Sequence, residues 1–356
     1  MKSAEFLDWL EKEKLLGLAK NNSIYFKKIL QDCLGLKEEG LLIISDTGID
    51  DKQIAPVIAG CYYFAAKELG IKVAVAIQEA KFRGDKIDEE VLNDLDKLPR
   101  NNAIILALSG KLGSIKELGD SFRVYAHENY HRFVSSTSLG KLNMDKFPDI
   151  IKVINVDYKK MHNTGLAIKK QLDEGDQIHV TTEKGTDLYI GIKGKEALLN
   201  TGVYDKPKSG GNVPAGEVYI PPKWKNVEGK VVIDASSAYL NGTQLIKEPI
   251  IMTIEKDEVV NIEGGKEAKN LSDTLDWASK KAKYPWGVRR IGEFGIGINP
   301  NADIIGATIV DEKKLGTAHV AIGSNYWFGG TIYAIIHLDQ VFNNPKIYID
   351  NNLLKF

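Results

Sequence analysis

Two cysteines, Cys33 and Cys61, are all that 356 residues contain, so neither a disulfide framework nor a zinc-ribbon spacing is available. No apolar run approaches the ~18 residues that a membrane span needs. The opening MKSAEFLDWLEKEKLLGLAK is amphipathic and carries charges of both signs, unlike a signal peptide. The expectation is a cytoplasmic protein with no membrane partner. Charge of one sign is also missing: 47 basic residues are interspersed with 48 acidic ones, without the basic patch that a nucleic-acid partner requires. Phosphate-binding glycine loops find little support. SGKLGS at 109–114 lacks the Walker spacing, and GEFGIG at 292–297 does not open a helix after a strand, so both read as structural turns. There is no Gly-x-Ser-x-Gly elbow, and neither cysteine has a local catalytic signature.

What is present divides in two. The length is about twice that of a typical domain. Over residues 1–170, apolar runs alternate between helix and strand spacing: helices within 4–34, a buried strand in LLIISDTGIDD, a helix in IAPVIAGCYYFAAKELG, then strands in IKVAVAIQE and NNAIILALSG. That alternation predicts a parallel α/β domain. Over 171–356, glycines and turn signals recur (KSGGNVPAG, NVEGKVVID, EFGIGINPNAD, GSNYWFGG), with a hairpin expected around Glu183-Lys184-Gly185 and one good helix from Ala268 to Lys283. This half reads as a β-rich α+β domain.

The chemistry concentrates in that second half. In TIYAIIHLDQVF, His337 and Asp339 are two apart, so on a strand they share a face with Cα atoms roughly 7 Å apart. An imidazole beside a carboxylate suits a divalent cation; on that spacing alone a His–Asp hydrogen bond that satisfies a partly buried imidazole is the better explanation. The neighbours favour the metal. His319 lies in the apolar run AHVAIG, Glu293 sits between glycines in IGEFGIG, and Glu217 enters a hydrophobic strand in AGEVYIPP. Buried carboxylates need compensation. Glu312, in VDEKKLG, is explained as well by a charged turn. Two imidazoles and several carboxylates exceed one tetrahedral site, so a bridged pair of ions roughly 3.5–4 Å apart is expected, holding a hydroxide nucleophile, with Tyr326 placed to donate to an oxyanion.

These residues carry a resemblance. GTDLYIGIKG, NVPAGEVYIPP, VEGKVVID, GEFGIGINPNA, the DE…AHVAIGSNY block and the final IHLD are similar to the aminopeptidase T group of metallopeptidases. The resemblance implies Glu217, Glu293, His319, His337 and Asp339 as ligands to two divalent ions (zinc, cobalt or manganese). It adds Glu312 as a further ligand or base and Tyr326 as a catalytic phenol. A homodimer releasing N-terminal residues from short peptides completes what it implies. The segments between Glu293, His319 and His337 are shorter than the family's.

Two other enzyme readings and one non-enzymatic reading stand beside it. Ring-cleaving dihydroxypyridine dioxygenases resemble the same scaffold but hold one Fe(II) with two histidines and a carboxylate, a set that His319, His337 and Asp339 alone would satisfy. Glu217 and Glu293 tip the reading to the hydrolase, since a single iron needs no further acids. HENYHRF carries His127, Glu128 and His131 at zincin spacing, but no third ligand follows, so these residues are expected to line a cavity or a polar helix face. A non-enzymatic metal-binding protein is the last alternative.

Overall fold

Leu41–Asp46, LLIISD, is buried along its whole length, the pattern of a strand covered on both faces. It pairs in parallel with Val73–Gln78 on one side and Ala103–Ala107 on the other. Arg132–Ser136 and Gly210–Asn212 extend the sheet, again in parallel. Parallel neighbours require crossovers, and the apolar run IAPVIAGCYYFAAKE supplies one as the helix Ile54–Glu68. A second, the helix Glu89–Asp96, buries Val91 and Leu95 against Leu42, Ile44, Ile104 and Leu106 of the sheet. The opening apolar pattern folds as the helices Ser3–Lys12 and Leu16–Lys28, the latter running on as a π-helical turn, Ile29–Cys33.

The computed structural model describes residues 1–82, 84–119 and 121–355. It resolves into two units, Met1–Lys159 with Gly202–Ala215, and Lys160–Thr201 with Gly216–Phe356. The short strand Gly210–Asn212 belongs to the first unit although it follows the hairpin of the second in sequence.

The second unit is built on two antiparallel seven-stranded sheets. One contains the expected hairpin, Gln177–Thr181 paired with Asp187–Gly191. The other runs in the order Gly242–Leu245, Ser236–Tyr239, His337–Asn343, Thr317–Gly323, Ile291–Gly297, Glu217–Ile220, Leu198–Asn200. The long helix is Lys266–Lys281, burying Ala268, Leu271, Leu275 and Ala278 at helical spacing. A parallel α/β sheet combined with a β-rich part is the fold class that the sequence indicated. Among the described residues no helix is long and apolar enough to cross a membrane.

Candidate metal centre

Register decides which side chains meet. Glu293 and Asp339 both lie opposite Ala321, His319 lies opposite Gly295, and His337 lies opposite Gly323. Glu217 lies opposite Gly297. Opposed residues share a face, as do residues two apart along a strand. Five polar side chains from four adjacent strands therefore point to one side of the sheet. The strand around His337 is shorter than TIYAIIHLDQVF suggests, beginning at His337 itself, but its alternation is as expected.

The glycines of GEFGIG are room, not a phosphate loop. A Cβ on Gly295 would lie 2.1 Å from Cε1 of His319, so the buried imidazole lies directly against that glycine. A Cβ on Gly297 would lie 2.2 Å from the carbonyl oxygen of Lys314. That second gap admits the segment that follows the short helix Thr308–Asp311. Asp311 anchors the helix by accepting the N–H groups of Ile305 and Gly306 at 2.7 and 3.2 Å; burial pushes its carboxyl up to about 6. Asn299 N–H then donates to the Lys313 carbonyl at 2.7 Å. Glu312 and Lys313 are thereby delivered into the site.

The ligand atoms form three overlapping groups: Glu217, Glu293 and His319; Glu293, His337 and Asp339; Glu312, His319 and Asp339. Within each group they lie no more than 4.8 Å apart. His319 Nε2 is 3.2 Å from Glu293 Oε1 and 3.8 Å from Glu217 Oε2. His337 Nε2 is 3.3 Å from Asp339 Oδ1 and 3.5 Å from Glu293 Oε2. His337 Nδ1 donates to the Ser324 carbonyl at 2.9 Å, which fixes the tautomer and leaves Nε2 facing the acids. His319 is fully buried, and its Nδ1 has no hydrogen-bond partner. A buried imidazole set among carboxylates with one nitrogen unsatisfied is a donor set that fits a cation.

Without a metal, the charges lean on one another. Burial pulls both imidazoles down, but His319 is held up to about 9 by the hydrogen bond to Glu293 and by the charges of Asp339, Glu293 and Glu217. His337 is held up to about 10, chiefly by Asp339. Burial raises the Asp339 carboxyl, yet His337 and His319 draw it well below the usual carboxylate range. Glu312 goes the other way: burial, with the negative charges of Glu217 and Asp339, outweighs Lys313 and raises it well above its ordinary value.

Lys313 escaped the sequence reading. It is fully buried, which lysine almost never is unless paired. Its Nζ donates to Glu217 Oε1 at 2.5 Å and to Glu312 Oε1. Asn200 Nδ2 donates to the same oxygen of Glu217 at 2.9 Å. Burial works against the ammonium, but the two carboxylates hold its pKa above the ordinary value. Removing one partner from such a buried pair costs about 3–5 kcal/mol. In VDEKKLG nothing local distinguishes Lys313 from a lysine in a solvated turn; its burial follows from Gly297 and the segment that passes there.

Tyr326 lies in the 3₁₀ turn Tyr326–Phe328 and is 58% exposed. Its ring packs on Trp327 and Tyr333, and it is Trp327, not Tyr326, that meets the His337 ring, 5.2 Å between centroids. The HENYHRF segment does not make a zincin helix. The helix Phe122–Glu128 stops at Glu128, Tyr130 turns with φ of 60°, and Arg132–Ser136 is already strand. His127 is exposed. His131 is buried, with Nδ1 accepting the Asn102 N–H at 3.2 Å.

Comparison with known proteins settles the family. A sequence model of the 2,5-dihydroxypyridine 5,6-dioxygenase family matches residues 23–354. The 2,5-dihydroxypyridine 5,6-dioxygenase of Pseudomonas putida is 26% identical over 195 residues, 52% of this chain and 54% of that protein, so the match spans about half of the relative's length. The fold is similar to the solved structure of 2,5-dihydroxypyridine dioxygenase from Pseudomonas putida, with a TM-score of 0.71 and 18% identity, covering 93% of this chain and 94% of that one. It is also similar to AmpT from Thermus thermophilus, with a TM-score of 0.62 and 16% identity over 92% and 94% of the two chains. The scaffold is thus shared with AmpT, as the resemblance implied, but at such identity the likeness is one of fold alone.

The peptidase expectation is corrected by these matches. The family and the curated relative are dioxygenases, which are oxidoreductases, and not hydrolases of peptide bonds. The paired zinc, cobalt or manganese ions fall with it, because they were required by hydrolysis and the ring-cleaving reading carries one Fe(II). Glu217, surplus to a single iron, is the partner of a buried lysine. With all but the first 22 and last two residues matched, the chain belongs to the 2,5-dihydroxypyridine 5,6-dioxygenase family.

Proposed function

We propose that this protein is a ring-cleaving dioxygenase with a single Fe(II) held by His319, His337 and Asp339, with Glu293 beside them. A dihydroxylated pyridine is the substrate class, 2,5-dihydroxypyridine its first member, opened between ring carbons 5 and 6 with both atoms of dioxygen incorporated. One observation carries this reading. Asp339 falls within ligand reach of each imidazole, in one group with His337 and in another with His319. Two histidines and a carboxylate are the donor set of non-haem Fe(II) oxygenases. Bound there, iron would supply the place where ring and dioxygen meet and exchange electrons.

The chain's own residues do the rest. The Ser324 carbonyl orients His337, so that its free nitrogen points at Asp339 and Glu293 rather than at solvent. Phe328 and Trp327 present their rings edge-on to His337, centroids 6.1 and 5.2 Å away, and Tyr219 packs on Phe328. This aromatic wall borders the one imidazole of the pair that keeps some exposure. A planar heteroaromatic ring gains offset or edge contacts against such a wall, and water is kept from its face.

The test is reconstitution. Protein stripped by a chelator and loaded anaerobically with Fe(II) is expected to retain one iron per chain and to consume one dioxygen per 2,5-dihydroxypyridine, measured by metal analysis and an oxygen electrode. Two zinc or manganese ions per chain, with no oxygen uptake on any dihydroxylated pyridine, would refute the proposal.

A further inference from the structure

Resting on the one-ion reading above, we infer that Lys313 sets the ion count of this centre: its ammonium is a built-in cation standing where a second metal ion would have to bind. Of the three groups of ligand atoms, one requires Glu217 and another requires Glu312. Those two acids are the partners of Lys313. Only the group of Glu293, His337 and Asp339 contains neither; the single ion proposed above would sit on that side, with His319 joining it across Glu293, whose Oε1 is 3.2 Å from its Nε2, and away from Glu217. Glu217 Oε1 is doubly engaged, by Lys313 and by Asn200. A dication approaching Glu217 and His319 would meet a positive charge already within hydrogen-bond distance of its ligand, in a buried setting where like charges repel strongly.

The lysine has little freedom to withdraw. It is fully buried, its carbonyl is tied to Asn299, and the segment runs through the space left by Gly297. The fold presents enough carboxylates for two ions, and one side chain takes a share of them. Lys313 is therefore a specificity-determining residue for metal stoichiometry, and it acts through Glu217 and Glu312 rather than on a substrate.

The experiment counts ions. Wild type, Lys313→Met and Lys313→Gln are stripped with a chelator and titrated anaerobically with Co(II), with bound metal measured after equilibrium dialysis and the d–d absorption bands recorded. The expected result is one Co(II) per chain in the wild type and two in either variant, the second adding its own absorption, while Lys313→Arg stays at one. Methionine matches the lysine stem in size; glutamine keeps a donor for the two acids and decides the matter if the methionine variant does not fold. If a variant with the circular dichroism spectrum of the wild type binds a single ion, Lys313 does not set the count. If the wild type itself binds two, the one-ion reading fails first, and the two failures are told apart by that measurement alone.

Discussion

The chain carries two histidine pairs that invite the same interpretation and come to opposite ends. His127 and His131 are four residues apart in the first unit, with Glu128 between them. His319 and His337 lie on neighbouring strands of the second unit, paired through Gly323 and Val341 rather than with each other. The close pair is split by a helix end: His127 faces solvent, while His131 is buried and hydrogen-bonded to the Asn102 backbone. The distant pair is brought within reach of a shared carboxylate by strand register. Spacing in sequence creates a metal site only where the backbone between the residues is regular. A break of one residue, Tyr130 at positive φ, undoes i, i+4 geometry, whereas an antiparallel ladder delivers residues from any distance along the chain.

Substitutions at the two pairs should separate most sharply. His337→Ala or Asp339→Asn is expected to lower iron affinity and ring cleavage by more than about 100-fold, beyond the range seen when only a supporting hydrogen bond is lost. His127→Ala should leave both unchanged. Metal analysis and oxygen uptake on the three variants decide it, and iron lost on changing His127 would reverse the comparison.

Gly295→Ala tests the room that the distant pair requires. The added methyl would overlap His319 and should cost about 1–3 kcal/mol of stability, with iron retention falling in parallel. Thermal melts with and without Fe(II) measure both; an alanine variant with wild-type iron content would mean that the imbalance of space is absorbed elsewhere.

The pH dependence sharpens the electrostatic half of the contrast. In the metal-free protein, His319 and His337 are raised to about 9 and about 10, above the ~6.5 of an unfolded histidine. A raised folded pKa contributes stability that is complete below the unfolded value and is lost as pH climbs through the folded one. Metal-free protein should thus lose melting temperature between about pH 6.5 and 10. Fe(II)-loaded protein, whose ligating imidazoles are neutral, should not show this loss and should instead release iron as pH falls.

His131→Ala is expected to touch stability alone. Losing the acceptor of the Asn102 N–H and the packing against Tyr125 should cost about 1–3 kcal/mol with iron content intact. A denaturant melt beside metal analysis reads out both quantities.

Much of the fold was legible because it rests on local pattern. LLIISD and AIILA are continuous apolar runs that only doubly covered strands explain, and IAPVIAGCYYFAAKE is too long and too apolar for anything but a buried helix. The acids on apolar strands were legible too, since Glu217 and Glu293 stand in runs that are otherwise apolar and largely buried. The number of ions those acids serve was not legible. By the inference above it depends on Lys313, and a lysine in VDEKKLG carries no mark of burial in its neighbours. The chemistry was misassigned because a surplus of carboxylates was read as a second ion, and it is the family match that overturns it.

The amino-acid sequence by itself determined the element types and the two-part architecture, because hydrophobic period and turn residues act over a few neighbours. It also determined that His319, His337 and Asp339 lie in strands, with the latter two facing one way. Only the tertiary structure decided that Gly295 opens space for an imidazole, that Gly297 lets a distant loop in, and that Lys313 arrives through that gap to hold two of the acids. These are contacts between segments whose meeting is fixed by strand register and close approach of backbones, and neither quantity is written in any short stretch of the chain.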